Sequence, residues 1–269
     1  MSRSVRIQLM GNLLITIDGK RVEDPVSRSR KGAALMAFLI LRREQKTSNQ
    51  VLIRALWPGG TSVSPSTALK TLISRMRAIL NEMVEGMGNC IVSDRGAYHW
   101  ENLPGMSIDV WEIMDIFDRL AWEHDVATIR EYYRRLSLQY RGDLFQTGCL
   151  DEESVYAEQL HSQYLNAMYS YIDLLRQGEE YNEISEVCRR GLEVDNFDDR
   201  LHLEMMRAMV NLNRTRDAIS QYRAADSASR YLDVEPSEEM SRSPTRWRRS
   251  ALRSGSPATA SHSSSGRTW

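Results

Sequence analysis

The period of the apolar residues changes along this chain, and that change limits the folds open to it. Val5, Ile7 and Leu9 alternate with polar neighbours, and Leu13, Ile15 and Ile17 alternate again. Gly11-Asn12 separates the two runs and Asp18-Gly19 follows the second. Period two between such turn residues predicts short antiparallel strands. From Ser29 to Arg43 the spacing lengthens to three and four, with Ala34, Leu35, Phe38 and Leu39 on one broad buried face of a helix. Ser48 is placed to cap a second helix, 49–56, which stops at Trp57-Pro58-Gly59-Gly60. A third helix is predicted from near Ser66, just after Pro65, to about Leu80. The stretch 90–100 is rich in β-formers on both sides of Asp94-Arg95-Gly96 and predicts a hairpin. After Pro104-Gly105 the period stays helical: 108–120, 125–140, 154–176, 181–192, 199–212 and 215 to about 231.

Strands, three helices and a closing hairpin within about 100 residues are the order of a winged helix-turn-helix. Other small α+β domains share that pattern. In the helical half, Glu183-Ile184 is echoed by Ala218-Ile219, and Glu193-Val194-Asp195-Asn196 by Asp233-Val234-Glu235-Pro236. Offsets of this size suit stacked helix pairs of the tetratricopeptide kind. The expected fold is therefore mainly α: an N-terminal α+β winged helix-turn-helix followed by an all-α tetratricopeptide-like helical domain. The expected limits are 1–103, 104–240 and a tail, 241–269. Nine serines and little aliphatic content predict that this tail is disordered.

Charge follows the same divisions. The chain has 269 residues with 35 Lys+Arg and 36 Asp+Glu, a formal charge of −1. Residues 1–103 carry 15 basic and 8 acidic side chains, or +7; 104–240 carry 14 and 28, or −14; 241–269 carry 6 and none, or +6. This predicts a basic module that meets a polyanion and an acidic module that does not.

Several classes fall away. The longest apolar run, Ala33 to Leu41, has nine residues, against the roughly 20 that span a bilayer. The start, Met-Ser-Arg-Ser-Val-Arg, leads into no signal-peptide core. Cys90, Cys149 and Cys188 are an odd set without CxxC spacing, as in a reduced, cytoplasmic protein. No phosphate loop, HExxH, GxSxG or GxGxxG occurs, and the five histidines are scattered. Asp195, Asp198 and Asp199 lack EF-hand spacing and stand where a helix begins, as capping carboxylates do. No enzyme, cofactor, metal site or membrane partner is expected.

The third helix is the most informative element. At about 100° per residue with Leu69 at zero, Leu72, Ile73, Met76, Ile79 and Leu80 fall between about 280° and 40°. Thr67, Lys70, Thr71, Ser74 and Ala78 fall between about 100° and 200°, flanked by Arg77 near 80° and Arg75 near 240°. Short side chains at the centre let a helix settle into a major groove roughly 12 Å wide. Arginines at the edges reach phosphates or guanine edges. No acid lies between Ser66 and Leu80. A solvated amphipathic helix also has a polar face, but one that usually mixes acids with bases. Arg95 at the hairpin tip is placed either for a minor groove or simply as a turn residue. Arg28, Arg30 and Lys31 near the first helix start are placed for backbone phosphates.

Val51-Leu52-Ile53-Arg54-Ala55-Leu56-Trp57-Pro58 and Leu72-Ile73-Ser74-Arg75-Met76-Arg77-Ala78-Ile79-Leu80 resemble the second and third helices of OmpR-type winged-helix domains. Arg189 to Asp195, Leu203 to Met209, Asp217 to Tyr222 and Leu232 to Ser237 resemble, in order, a bacterial transcriptional activator domain (BTAD). Together they resemble the SARP-type regulators over about residues 5–240. The resemblance implies that the third helix is the recognition helix, with Ser74, Arg75 and Arg77 at its contact positions. It also implies that the hairpin around Arg95 is the wing, and that the helical half serves self-association and RNA polymerase contact. Two motifs depart from the family. Its Gly-Tyr-Arg-Leu wing strand reads Ala97-Tyr98-His99-Trp100 here, so no wing-strand arginine carries over, and its Asp-Pro reads Asp195-Asn196.

The expectation is a cytoplasmic, nucleoid-associated regulator, an activator that binds promoter duplex DNA as a homo-oligomer and engages RNA polymerase. Its expected DNA-binding residues are Thr67, Lys70, Thr71, Ser74, Arg75, Arg77 and Arg95. The alternative is a protein-interaction adaptor that uses the tetratricopeptide-like half without specific DNA binding.

Overall fold

The computed structural model describes residues 3–22, 26, 29–43, 45–59 and 64–231, with side chains undescribed at 151, 152 and 228–231. Arg28, Leu232 to Ser237 and the tail 241–269 lie outside the described residues. The chain forms two compact units, Met1–Tyr171 and Ile172–Trp269.

The first unit opens as its alternation predicts. Strands β1 (Val5–Gln8) and β2 (Leu14–Ile17) pair antiparallel, and β3 (Lys20–Arg21) pairs with β2 around Asp18-Gly19. Both turn residues have positive φ, 50° and 77°, as a two-residue type I′ hairpin requires. Helix α1 (Arg30–Leu41) begins at Ser29, whose hydroxyl accepts from Gly32 N at 3.2 Å. Sequence spacing predicts one buried face, yet all ten residues from Gly32 to Leu41 are buried. The reason is tertiary: α1 packs against α2, α3 and strand β6, whose bounds follow. A helix enclosed on all sides is apolar all round, which accounts for the run Ala33 to Leu41. Among the described residues no helix is long and apolar enough to cross a membrane.

Strand β4 (Thr47–Ser48) leads into α2 (Asn49–Leu56), which is capped by Ser48, and α3 (Pro65–Met83) follows. A 3-10 turn, Met87–Cys90, then enters the hairpin β5 (Ile91–Asp94) and β6 (Ala97–Trp100). The order β4-β6-β5 makes a three-stranded wing sheet. Strand β7 (Met106–Ile108) pairs parallel to β1, completing the sheet β3-β2-β1-β7. Three residues are too few to show a period, so β7 is absent from the sequence reading.

Behind β7, α4 (Asp109–Leu120) and α5 (Val126–Gln139) follow, and α6 (Asp151–Gln177) runs across the division between the units. Asp109 joins sheet to helix. Its buried carboxylate accepts from Leu9 N, Met10 N and Val110 N at 2.8, 3.0 and 2.7 Å. Burial pushes this carboxyl above the usual aspartate value, against the pull of those three donors. Trp111 Nε1 donates to Ile40 O at 2.7 Å and ties α4 to α1.

In the second unit, α7 (Tyr181–Val194), α8 (Asp199–Asn211) and α9 (Thr215–Tyr231) pack consecutively. The starts of α7 and α9, at 181 and 215, are 34 positions apart, the tetratricopeptide interval. Asp198 caps α8, accepting from Leu201 N at 2.7 Å, so this carboxylate performs the expected capping. A Cβ at Gly191 would stand 2.5 Å from Leu201 Cδ1, so glycine sets how closely α7 meets α8. Leu203, Met206, Met209, Ala218 and Ala225 form the core beneath α8 and α9. His202 sits in the same packing, with Nε2 2.9 Å from Asn196 O and Nδ1 2.7 Å from Gln221 Nε2.

Candidate nucleic-acid interface

Pro65 occupies the first turn of α3, where its missing N–H costs nothing. Leu69, Ile73, Met76 and Leu80 are buried and dock the helix on the core. Gly32 gives α1 room for Met76, since a Cβ there would lie 2.5 Å from its sulfur. Thr67, Lys70, Thr71, Ser74, Arg75 and Ala78 are all exposed. The helical wheel and the folded helix therefore agree on which arc faces outward.

The free hydroxyls on this arc are fewer than the sequence suggests. Ser64 Oγ and Thr67 Oγ1 lie 2.9 Å apart in a mutual hydrogen bond, and Thr71 Oγ1 donates to Thr67 O at 2.9 Å. The helix is also longer than predicted. The apolar arc ends at Leu80, but Asn81-Glu82-Met83 contains no helix breaker, and extended Val84 ends the helix instead. That last turn brings Glu82 onto α3, about 220° round from Leu69. The acid-free helix of the sequence reading thus holds only as far as Leu80.

The two arginines of the helix differ. Arg75 is exposed. Arg77 is half-buried, and its Nε and Nη2 donate to Ile91 O at 3.1 and 2.6 Å, joining α3 to the first residue of β5.

The wing tip is a second two-residue turn, Arg95-Gly96, with φ 44° and 87°. Arg95 is exposed there, on a hairpin in register from Ile91↔Trp100 to Asp94↔Ala97. Asn49 N donates to Gly96 O at 3.0 Å, holding the tip against the start of α2. Asp94 pairs with Lys46, whose ammonium holds its carboxyl below the usual aspartate value. Among the described residues, Lys70, Arg75 and Arg95 form no ion pair. Arg30 is exposed at the start of α1, while Lys31 Nζ stands 4.7 Å over the Trp57 ring. Arg54 is exposed on α2 and was not among the expected DNA-binding residues.

Residues 118–246 match the family model of the bacterial transcriptional activator domain. No curated protein matches the chain. Among solved structures, that of Mycobacterium tuberculosis EmbR in complex with low affinity phosphopeptide shares the fold. Its TM-score is 0.63 at 18% identity, over 94% of this chain and 68% of that one. Residues 118–246 therefore resemble a bacterial transcriptional activator domain, and the chain as a whole shares the fold of the EmbR structure.

Proposed function

We propose that the chain is a sequence-specific, duplex-DNA-binding activator that places α3 in the major groove of a promoter. Thr67, Lys70, Thr71, Ser74 and Arg75 face the groove in this reading, and Arg95 on the wing reaches the neighbouring minor groove or its phosphates. Arg77, expected as a further contact, is half-buried and donates to Ile91 O. Residues 1–103 form the DNA-binding module, and 104–240 carry contacts with RNA polymerase and with a second copy of the chain. The site of action is the nucleoid, in the cytoplasm.

The observation that carries the reading is the unpaired charge. Lys70, Arg75 and Arg95 are exposed cations without a carboxylate partner among the described residues. A cation that meets no internal acid is free to displace counterions from a phosphate. The short side chains between Lys70 and Arg75 allow the close approach that groove reading needs.

Selection of bound sequences from a random duplex pool tests the reading. Enriched sites with a fixed half-site spacing are expected, and that spacing reports the oligomer. The affinity for an enriched site should fall steeply with salt, by about 0.9 in log K per contacted phosphate per decade. A flat salt response with no enriched sequence would instead support the adaptor.

A further inference from the structure

We propose that Arg77 is a positioning residue that sets the wing at a fixed angle to the exposed face of α3. The inference rests on the DNA-binding reading above. Arg77 lies about 80° round the helix from Leu69, at the border between core and exposed arc. From there its guanidinium places two donors on one carbonyl, Ile91 O, at 3.1 and 2.6 Å. A planar fork with fixed donors suits this double contact, and a lysine ammonium does not reproduce it. One turn further along α3, Asn81 Oδ1 accepts from Gly88 N at 2.8 Å. A Cβ on Gly88 would lie 2.6 Å from Arg77 O, so helix backbone and turn meet without space between them. Three contacts on one side of α3 thus hold the segment that enters the wing.

Ile91 is the root of β5, and the ladder runs from it to the Arg95-Gly96 tip. At about 3.4 Å per residue the tip stands about 10–14 Å from that root. A shift at Ile91 therefore turns β5 and its tip residue Arg95 about the side of the hairpin that is held to α2. On its other side the wing is held to α2, through the β4–β6 pairing and Asn49 N to Gly96 O. With the α2 side fixed, the Arg77 contact decides the angle between the α3 arc and Arg95. Both surfaces meet one duplex in the DNA-binding reading, so their angle governs whether Arg95 adds to the affinity that α3 supplies.

The test is a double-mutant cycle on the full chain, read as affinity for an enriched duplex. Arg77→Met is expected to weaken binding about tenfold, and Arg77→Lys by about as much, because the charge is kept but the fork is lost. Arg95→Ala should cost about tenfold in the parent and under threefold in the Arg77→Met background. In DNA-free protein, amide exchange in 91–100 should quicken in Arg77→Met while exchange in α7 and α8 stays as in the parent. Restoration of binding by lysine, additive losses, or unchanged exchange in 91–100 each overturns the proposal. If the parent binds no duplex, the DNA-binding reading itself fails, which is distinct from a parent that binds with additive losses.

Discussion

The two units pair their arginines with acids to different extents. In the second unit most described arginines are matched to nearby acids, among them Arg189 with Glu186 and Glu193, Arg190 with Glu186, Arg207 with Glu204, and Arg214 with Asp217, while Arg216 and Arg223 form no ion pair among the described residues. Arg176 meets both Asp173 and the buried Glu204. In the first unit Arg6, Arg43 and Arg134 pair with acids as well, but Lys70, Arg75 and Arg95 stand exposed and unmatched among the described residues. What sets the first unit apart is that its unmatched Lys70 and Arg75 share α3 and Arg95 stands at the tip of the β5–β6 hairpin. The net charges of 1–103 and 104–240 are divided elsewhere than the two units, and only the pairing shows which cations are available to a polyanion.

The sharpest way to break the comparison is to reverse one charge in each unit. Arg75→Glu should lower affinity for an enriched duplex more than about a hundredfold, because it removes a cation and places an anion against phosphate. Its far-UV helical signal should match the parent. Arg189→Glu should leave duplex affinity within about threefold, since exposed helix pairs contribute little. Equal losses from the two would erase the distinction.

Stability separates the units next. Asp109→Ala leaves three buried backbone donors without their acceptor and should cost about 2–4 kcal/mol in urea unfolding. Gly191→Val forces side-chain atoms into the α7–α8 contact and should cost about 1–3 kcal/mol. The first is expected to impair duplex binding and the second to leave it intact. Binding lost in Gly191→Val would show that the second unit shapes the DNA site.

Acid should act on the two units with opposite signs. Arg189 and then Arg190 hold the Glu186 carboxyl below the usual glutamate value. Its stabilisation is present above the unfolded value, about 4.3, and is lost as pH falls through the lowered one. Burial raises Asp109, so the folded chain binds that proton more tightly than the unfolded chain. Its contribution therefore falls as pH rises from the usual aspartate value to the raised one. Urea midpoints across pH 3–6, about the carboxylate range, should show a shallower acid limb in Glu186→Gln and a steeper one in Asp109→Asn.

The smallest effect is a labelling pattern. Burial pushes the Cys90 thiol up to about 11 and Cys188 higher still, while Cys149 is half-buried. At neutral pH, iodoacetamide should modify Cys149 well before the other two, because the thiolate is the nucleophile. Early labelling of Cys188 would report opening of the second unit, and early labelling of Cys90 opening of the first.

Much of the fold was legible because its signals are local. The limits of α2, its Ser48 cap, the Asp18-Gly19 turn and the outward arc of α3 each depend on residues within one or two turns. Elements that needed a distant partner were not legible. Strand β7 exists because three residues find β1 about a hundred positions away. Asp109 reads as an ordinary first-turn acid until Leu9 N and Met10 N arrive. Arg77 reads as a DNA contact on the wheel, and only the approach of β5 commits it to Ile91 O.

What the sequence determined by itself is the division of labour: a strand-and-helix module with an acid-poor polar helix face, then an acidic helical module at tetratricopeptide spacing. Periodicity and charge are properties of neighbouring residues, and they survive without a fold. Tertiary structure decided which α1 residues are enclosed, that Arg77 is bound to Ile91 O, and which cations remain free. Those outcomes depend on which backbone groups and carboxylates meet across the fold, and sequence separation places no bound on that.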